Sequence, residues 1–510
     1  MKEKIVYIDG NTLVLPDIES VAYHGAQVKI QSGAYKKIKK SRTFIEKIVS
    51  GNKTVYGINT GVGSFSNKKI KPTELATLQK NIVRSHCTGV GRVLGKHETR
   101  AMMLLRANVL AKGNSGVRPE TIEKLLEILN KNLHPVIYEQ GSVGASGDLA
   151  PLAELALCLI GEGSFIYKNK TCTAREVFRR EKINPLTLYA KEGISLINGT
   201  QLMTAVGALA LVRAKRILKI ADIVGAMTLE AVKGSHKAFD ADIMKVRPHP
   251  GAVASAKNLR TLLTQSDIRK SHEECAKIQD AYSLRCMPQV HGAVRDVVTF
   301  AEKVLAIEFN AAVDNPLVFT EKNKILSCGN FHGQPVAYAM DCLGLALTGL
   351  SNISERRIEK LMNPIYSGLS PFLAKHGGLE SGLMMVQVAA ASLASENKVH
   401  ATPASVDTIP TSMDKEDHVS MGSIAALKTE KIMSNIEKVL AMEILCAFFA
   451  LDYLYPLKPA KPLFHLYALL KKFIPPLTDR PFNRDLALID ERIRDNSLLE
   501  AVEKISGPLL

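Results

Sequence analysis

Residues 201–233, QLMTAVGALALVRAKRILKIADIVGAMTLEAVK, decide the fold. Ala, Leu, Met and Lys, all strong helix formers, dominate them. As a single helix they would run roughly 50 Å at 1.5 Å per residue, longer than a compact small domain is wide. Residues 288–309, 334–361, 382–400 and 419–453 share this composition, so the pattern predicts an extended bundle of long, buried helices. In residues 382–393 only Gln387 and Ser392 are strongly polar. A helix apolar on more than one face is wrapped by others. The expectation is therefore a mainly α protein that forms an oligomer with these helices sandwiched between subunits, most simply with dihedral symmetry.

Residues 1–110 read differently. Ile5-Val6-Tyr7-Ile8, a turn at Asp9-Gly10-Asn11 and Thr12-Leu13-Val14-Leu15 suggest a hairpin-like start. The expected organisation is a small α+β region over 1–110 and a helical-bundle domain over 111–510.

Composition removes several function classes. The 510 residues are 46% hydrophobic and 23% charged, which excludes wholesale disorder. Lys and Arg number 66 against 50 Asp and Glu, a net charge of +16. This suits an anionic partner or a solvated surface around a site for small anions. The basic run Lys36-Lys37-Ile38-Lys39-Lys40 reads as a solvated helix face, and no aromatic platform or finger motif accompanies it, so no nucleic acid is expected. Charges at Lys2, Glu3, Lys4 and Asp9 interrupt any apolar leader, and stretches such as 440–451, with Glu443 inside, are too short to span a bilayer. A cytoplasmic protein without a membrane segment is expected. The eight cysteines contain no Cys-x-x-Cys, which points to reduced thiols and no metal.

Gly-rich polar islands interrupt the helical text, and chemistry is usually mounted on such islands. Gly61-Val62-Gly63 and Gly89-Val90-Gly91 lack the third glycine of a dinucleotide fingerprint, since Ser66 and Leu94 stand there. No phosphate loop is present, so neither a nucleotide nor PLP is expected. Gly144-Ala145-Ser146-Gly147-Asp148-Leu149-Ala150-Pro151 is more informative. Read plainly, it is a turn with Asp148 as helix N-cap. It also permits a reaction: the Gly147 amide nitrogen attacks the Ala145 carbonyl carbon, and loss of water, including the Ser146 hydroxyl, leaves a five-membered ring with an exocyclic methylidene. Small neighbours allow the backbone to be compressed, and Ala145 and Gly147 supply them.

This loop resembles the self-processing segment of the aromatic amino acid lyase family. Tyr56-Gly57-Ile58-Asn59-Thr60-Gly61, Asn198-Gly199-Thr200-Gln201, Gln279-Asp280-Ala281-Tyr282-Ser283-Leu284-Arg285, Gly329-Asn330-Phe331-His332 and Glu416-Asp417-His418-Val419-Ser420-Met421 resemble its other segments, in the same order along nearly the whole chain. The resemblance implies a 4-methylidene-imidazol-5-one (MIO) electrophile formed autocatalytically from residues 145–147. It also implies active sites shared between the subunits of a homotetramer, acting on a small amino acid. Ala281 departs from a Pro of some relatives. Fumarases and aspartases, the other helical lyases considered, carry a Gly-Ser-Ser-x-Met-Pro segment that is absent here.

Ser85-His86 and Glu416 are similar to the side-chain pocket of members that act on histidine. A carboxylate and a histidine can satisfy both imidazole nitrogens, which a phenyl ring cannot use. The implied reaction is elimination of ammonia from L-histidine to trans-urocanate, the opening step of histidine breakdown. A tyrosine ammonia-lyase or tyrosine aminomutase is the alternative. By resemblance Tyr56 is the β-proton base, with Glu416 as the rival claimant. Arg285 holds the substrate carboxylate, Tyr282 and Asn198 hydrogen-bond near the electrophile and the carboxylate, Phe331 walls the ring, Gln279 orients its neighbours, and His86 and Met384 line the pocket.

Overall fold

The structure is a computed structural model describing residues 4–51, 53–273 and 278–510. The described residues form 21 α-helices and only short strands, a mainly α fold. Ten helices carry the argument: α1 (Leu15–His24), α2 (Leu75–His86), α3 (Lys96–Ala111), α4 (Ala150–Leu159), α5 (Glu192–Ile197), α6 (Gln201–Ala231), α7 (Met287–Glu308), α8 (Gln334–Met362), α9 (Met384–His400) and α10 (Gly422–Asp452). The five long segments read from sequence all fold as helices, within three residues of the expected bounds at each end.

The chain divides into two compact units. One comprises residues 1–210, 301–341 and 403–427, the other 211–300, 342–402 and 428–510. A division near residue 110 separates neither; that position lies at the end of α3, inside the first unit.

The hairpin expected at the N-terminus does not form. β1 (Ile5–Ile8) pairs in parallel with β2 (Gln27–Ile30), and α1 connects them. The turn itself exists, because Asp9 Oδ1 accepts from the backbone N–H groups of Asn11 and Thr12. Beyond it Pro16, with no N–H for a strand ladder and a φ suited to a helix start, opens α1.

In the first unit α3 is buried continuously from Thr99 to Ala111. Two charged side chains in this core find partners inside the protein. Arg106 donates to the carbonyls of Ser195 and Asn198 and to Gln201 Oε1. Lys191 Nζ lies 2.7 Å from Asp314 Oδ2 and 2.8 Å from Ser195 Oγ, with Lys191 and Asp314 both fully buried. Burial lowers the Lys191 ammonium against the pull of Asp314, and it brings Arg106 down to about 10.

In the second unit the charges inside the apolar helices find one another. Arg357 pairs with Glu443 and lies 3.2 Å from His291 Nε2, while His291 Nδ1 and Arg295 contact Asp222. Burial opposes the Asp222 charge, but the His291 hydrogen bond and the Arg295 guanidinium outweigh it and hold the carboxyl at about 2. α8 is long and apolar enough to cross a bilayer, contrary to the reading that no stretch is; 67% of its most apolar window is buried, as in a core helix.

Candidate active site

The contacts of the loop and of the cavity described next lie within the first unit. The loop 144–149 is bounded by glycines that need left-handed backbone, Gly144 at φ +68° and Gly147 at φ +76°. A Cβ at Gly147 would lie 2.2 Å from the Gly199 carbonyl oxygen, so only glycine allows the two strands to approach this closely. The Gly199 carbonyl also accepts from Asp148 N at 2.7 Å. Asn198 Nδ2 donates to the Ser146 carbonyl at 2.7 Å, and the Met421 N–H donates to the Val143 carbonyl at 2.9 Å. Ser142 Oγ reaches the Gly147 carbonyl at 3.3 Å. The three residues Ala145–Ser146–Gly147 are thus clamped on both flanks.

Asp148 does not cap α4, as the plain reading of the sequence has it. Leu149 takes that position at φ +42°, a strained conformation for a branched residue. The Asp148 carboxylate turns instead to the start of α6, accepting from Leu202 N at 2.6 Å, and to Ser423 Oγ in the first turn of α10 at 2.9 Å. Burial pushes its pKa up to about 7 against these hydrogen bonds and the Arg106 charge. The N-termini of α4, α6 and α10 therefore meet at one loop, each contributing roughly half a positive charge. Their field favours negative charge at Ser146 and makes a group placed there more electrophilic.

Ser146 Oγ donates to Glu416 Oε1 at 2.7 Å, and Thr411 Oγ1 donates to Glu416 Oε2 at 2.7 Å. Residues 411 and 416 also bridge through their backbones, across a turn whose Ser412, Met413 and Asp414 all have φ between +53° and +59°. Ser64 Oγ ties this turn down by donating to the Ser412 carbonyl at 3.0 Å.

A cavity of about 680 Å³ opens over Ser146. Tyr56, His86, Asn198, Phe331 and Glu416 line it with Ser146, drawn from segments up to 360 positions apart. His86 Nδ1 lies 2.8 Å from the Ile82 carbonyl, which can only accept; Nδ1 therefore carries the proton and Nε2 is the nitrogen left for a ligand. The Gly63 N–H points at the Tyr56 hydroxyl at 3.5 Å. Lys68 supplies a cation to the wall, and Leu78, Ile82 and Ile194 supply apolar surface.

Four residues singled out in the sequence, Gln279, Tyr282, Arg285 and Met384, belong to the second unit and are not among this cavity's lining residues. Tyr282 is 71% exposed, with the Arg285 guanidinium over its ring at 4.6 Å. Conversely, sequence reading missed Thr411 and Arg106. Nothing local marks a lone threonine as the anchor of a carboxylate five residues on. A charge inside the apolar run of α3 was the available signal for Arg106.

Comparison with known proteins places this geometry. The family model for aromatic amino acid lyases matches residues 13–472. The chain is 49% identical over 496 residues to a histidine ammonia-lyase of Stigmatella aurantiaca, covering 97% of each. It is similar to the crystal structure of histidine ammonia-lyase from Trypanosoma cruzi, with 43% identity, a TM-score of 0.92, and coverage of 99% of this chain and 96% of that one. It is also similar to tyrosine aminomutase from Streptomyces globisporus, with 37% identity, a TM-score of 0.94, and coverage of 99% and 100%. With a match spanning both compact units and a cavity built on the Ala145–Ser146–Gly147 loop, the chain belongs to the aromatic amino acid lyase family.

Proposed function

We propose that the chain eliminates ammonia from L-histidine to give trans-urocanate, with Ala145–Ser146–Gly147 matured to MIO. The observation that carries the substrate assignment is the pairing of His86 and Glu416 in one cavity with Ser146. The Glu416 carboxylate can accept from one ring N–H of histidine, and His86 Nε2 can accept from the second N–H of a protonated ring. A phenyl side chain would leave both polar groups unpaired, at a cost of about 1–3 kcal/mol each.

The loop fits the prosthetic group. The Gly147–Gly199 approach leaves no room for a side chain at the nucleophilic nitrogen, Ala145 is small and buried, and hydrogen bonds on both flanks hold the segment in place. When present, the group supplies an electrophile that makes the substrate's amine a better leaving group. Asn198 Nδ2, aimed at the Ser146 carbonyl, withdraws electron density from that position. Tyr56 is assigned as the base for the β-proton, and Phe331 closes the cavity over the substrate ring. Arg285 is assigned to the substrate carboxylate as a bidentate partner, with Tyr282, Gln279 and Met384 beside it. Because these four lie outside the cavity of one chain, the assignment requires a homotetramer in which neighbouring copies deliver them. The seven described cysteines are free thiols, in keeping with a cytoplasmic enzyme.

The test is to incubate the purified protein separately with L-histidine, L-tyrosine and L-phenylalanine. Urocanate, coumarate and cinnamate are followed by absorbance, and β-amino acids by chromatography. The expected preference for histidine is at least ~10²-fold in kcat/KM, the range that lost polar pairing supplies. Coumarate or β-tyrosine forming faster than urocanate would reassign the substrate. With rates expressed per matured site, counted by intact mass, E416Q should depress histidine turnover far more than residual phenylalanine turnover.

A further inference from the structure

Ser146 Oγ has one hydrogen-bond partner among the described residues, Glu416 Oε1 at 2.7 Å. The neighbouring carboxyl, Asp148, faces away toward Leu202 and Ser423. Glu416 is held there by an unusual device: three consecutive non-glycine residues, Ser412, Met413 and Asp414, in left-handed backbone, closed by the 411–416 bridge and secured by Thr411 Oγ1 and Ser64 Oγ. Left-handed backbone is unfavourable for each of these residues, and a run of three persists only where surrounding contacts impose it. A turn that places Glu416 for the substrate ring also places it on the Ser146 hydroxyl before that hydroxyl is lost.

We propose that Glu416 is the acid–base catalyst of Ser146 dehydration during maturation, a task separate from any it has in turnover. This rests on the reading above that residues 145–147 cyclise. After the Gly147 nitrogen has closed onto the Ala145 carbonyl carbon and the first water has left, the Ser146 Cα–H lies between a C=N and a C=O and is acidified by both. The Glu416 carboxylate takes this proton. The electron pair forms the Cα–Cβ double bond, the Cβ–Oγ bond breaks, and the departing oxygen takes the proton back from Glu416 and leaves as the second water. The carboxylate is regenerated and nothing is oxidised or reduced. Asn198, donating to the Ser146 carbonyl, stabilises the charge that develops as the α-proton leaves. A positioned carboxyl of this kind contributes about 10²–10⁴-fold to a proton transfer.

The experiment reads maturation, not turnover. Full-length wild type, E416Q and T411V are sampled at intervals after a pulse of synthesis, and intact masses are measured under denaturing conditions, with the near-ultraviolet difference spectrum as a second readout. Wild type should be two waters lighter than its sequence. E416Q should reach that state about 10²-fold more slowly, accumulating the unmodified or one-water-lighter chain while retaining native helicity. T411V, which keeps the carboxylate but frees it, should be slowed severalfold. E416Q maturing at the wild-type rate overturns the proposal. Where E416Q does not fold, unchanged maturation of T411V overturns it. A wild type that shows no loss of water refutes the cyclisation itself, a distinct outcome.

Discussion

Replacing Lys191 by Met tests how the floor of the site is held. The Lys191 ammonium and the Asp314 carboxylate are 2.7 Å apart with no exposure, and Ser195 Oγ bridges them at 2.8 and 3.0 Å. K191M leaves Asp314 buried with, among the described residues, only Ser195 Oγ and the Asn315 N–H, at 2.6 Å, still donating to its carboxylate. Removing one member of a buried pair costs about 3–5 kcal/mol because the survivor is an uncompensated charge. Arg106, whose charge Asp314 also feels, moderates this toward the lower figure. At about 2–4 °C per kcal/mol for a unit of this size, Tm should fall by roughly 6–12 °C. The double variant K191M/D314L removes both charges and should recover a large part of the loss. Circular-dichroism melts at one fixed protein concentration compare the three chains, since assembly makes Tm concentration-dependent. A K191M loss below about 1 kcal/mol, or a double variant no more stable than the single, would refute the reasoning.

Three further outcomes follow from the same geometry. G147A places a Cβ 2.2 Å from the Gly199 carbonyl at a φ of +76°, so it should leave residues 145–147 unmodified by intact mass and cost stability through about 1–2 kcal/mol of backbone strain plus the steric overlap. Asp148 has a folded pKa raised to about 7 from 3.8, so its contribution to stability is present below pH 3.8 and is lost as pH rises to 7. In D148N that loss should vanish, and parallel melting profiles for wild type and D148N over this window would contradict the assignment. His134 is the opposite case. Burial first, then the charges of Lys96, Arg100 and His97, lower it to about 4, so its contribution is present above pH 6.5 and is lost as pH falls toward 4; H134Q should melt with a shallower acid limb than wild type.

The long helices were legible because composition and length suffice for them: 201–233 is observed as Gln201–Ala231 and 334–361 as Gln334–Met362. The N-terminal strands were legible as strands only in part. Pairing is a long-range property, and Pro16 decides for a helix where the alternation of 12–15 suggested a second strand. In the site, Tyr56, His86, Ser146, Asn198, Phe331 and Glu416 were each marked by a motif, and the fold brings them to one cavity. Thr411 and Arg106 were not marked, because their roles exist only through partners five and about ninety positions away. Asp148 was found but given the wrong helix, since the side chain of a cap can serve whichever amino terminus the tertiary fold brings near it.

The separation of 270 positions between Ser146 and Glu416 has a consequence for biosynthesis. A ribosome adding 5–20 residues per second needs about 14–54 s to travel that distance. Under the maturation proposed above, the emerging chain carries an ordinary serine throughout that interval, with neither the carboxylate nor the strained turn that aims it. The clamp on the other flank waits as well, since Ser420, Met421 and Ser423 come later still. Nascent chains stalled before residue 411 should therefore keep their full sequence mass however long they are held, and the chemistry should start only once the segment 411–423 has emerged from the exit tunnel and docked.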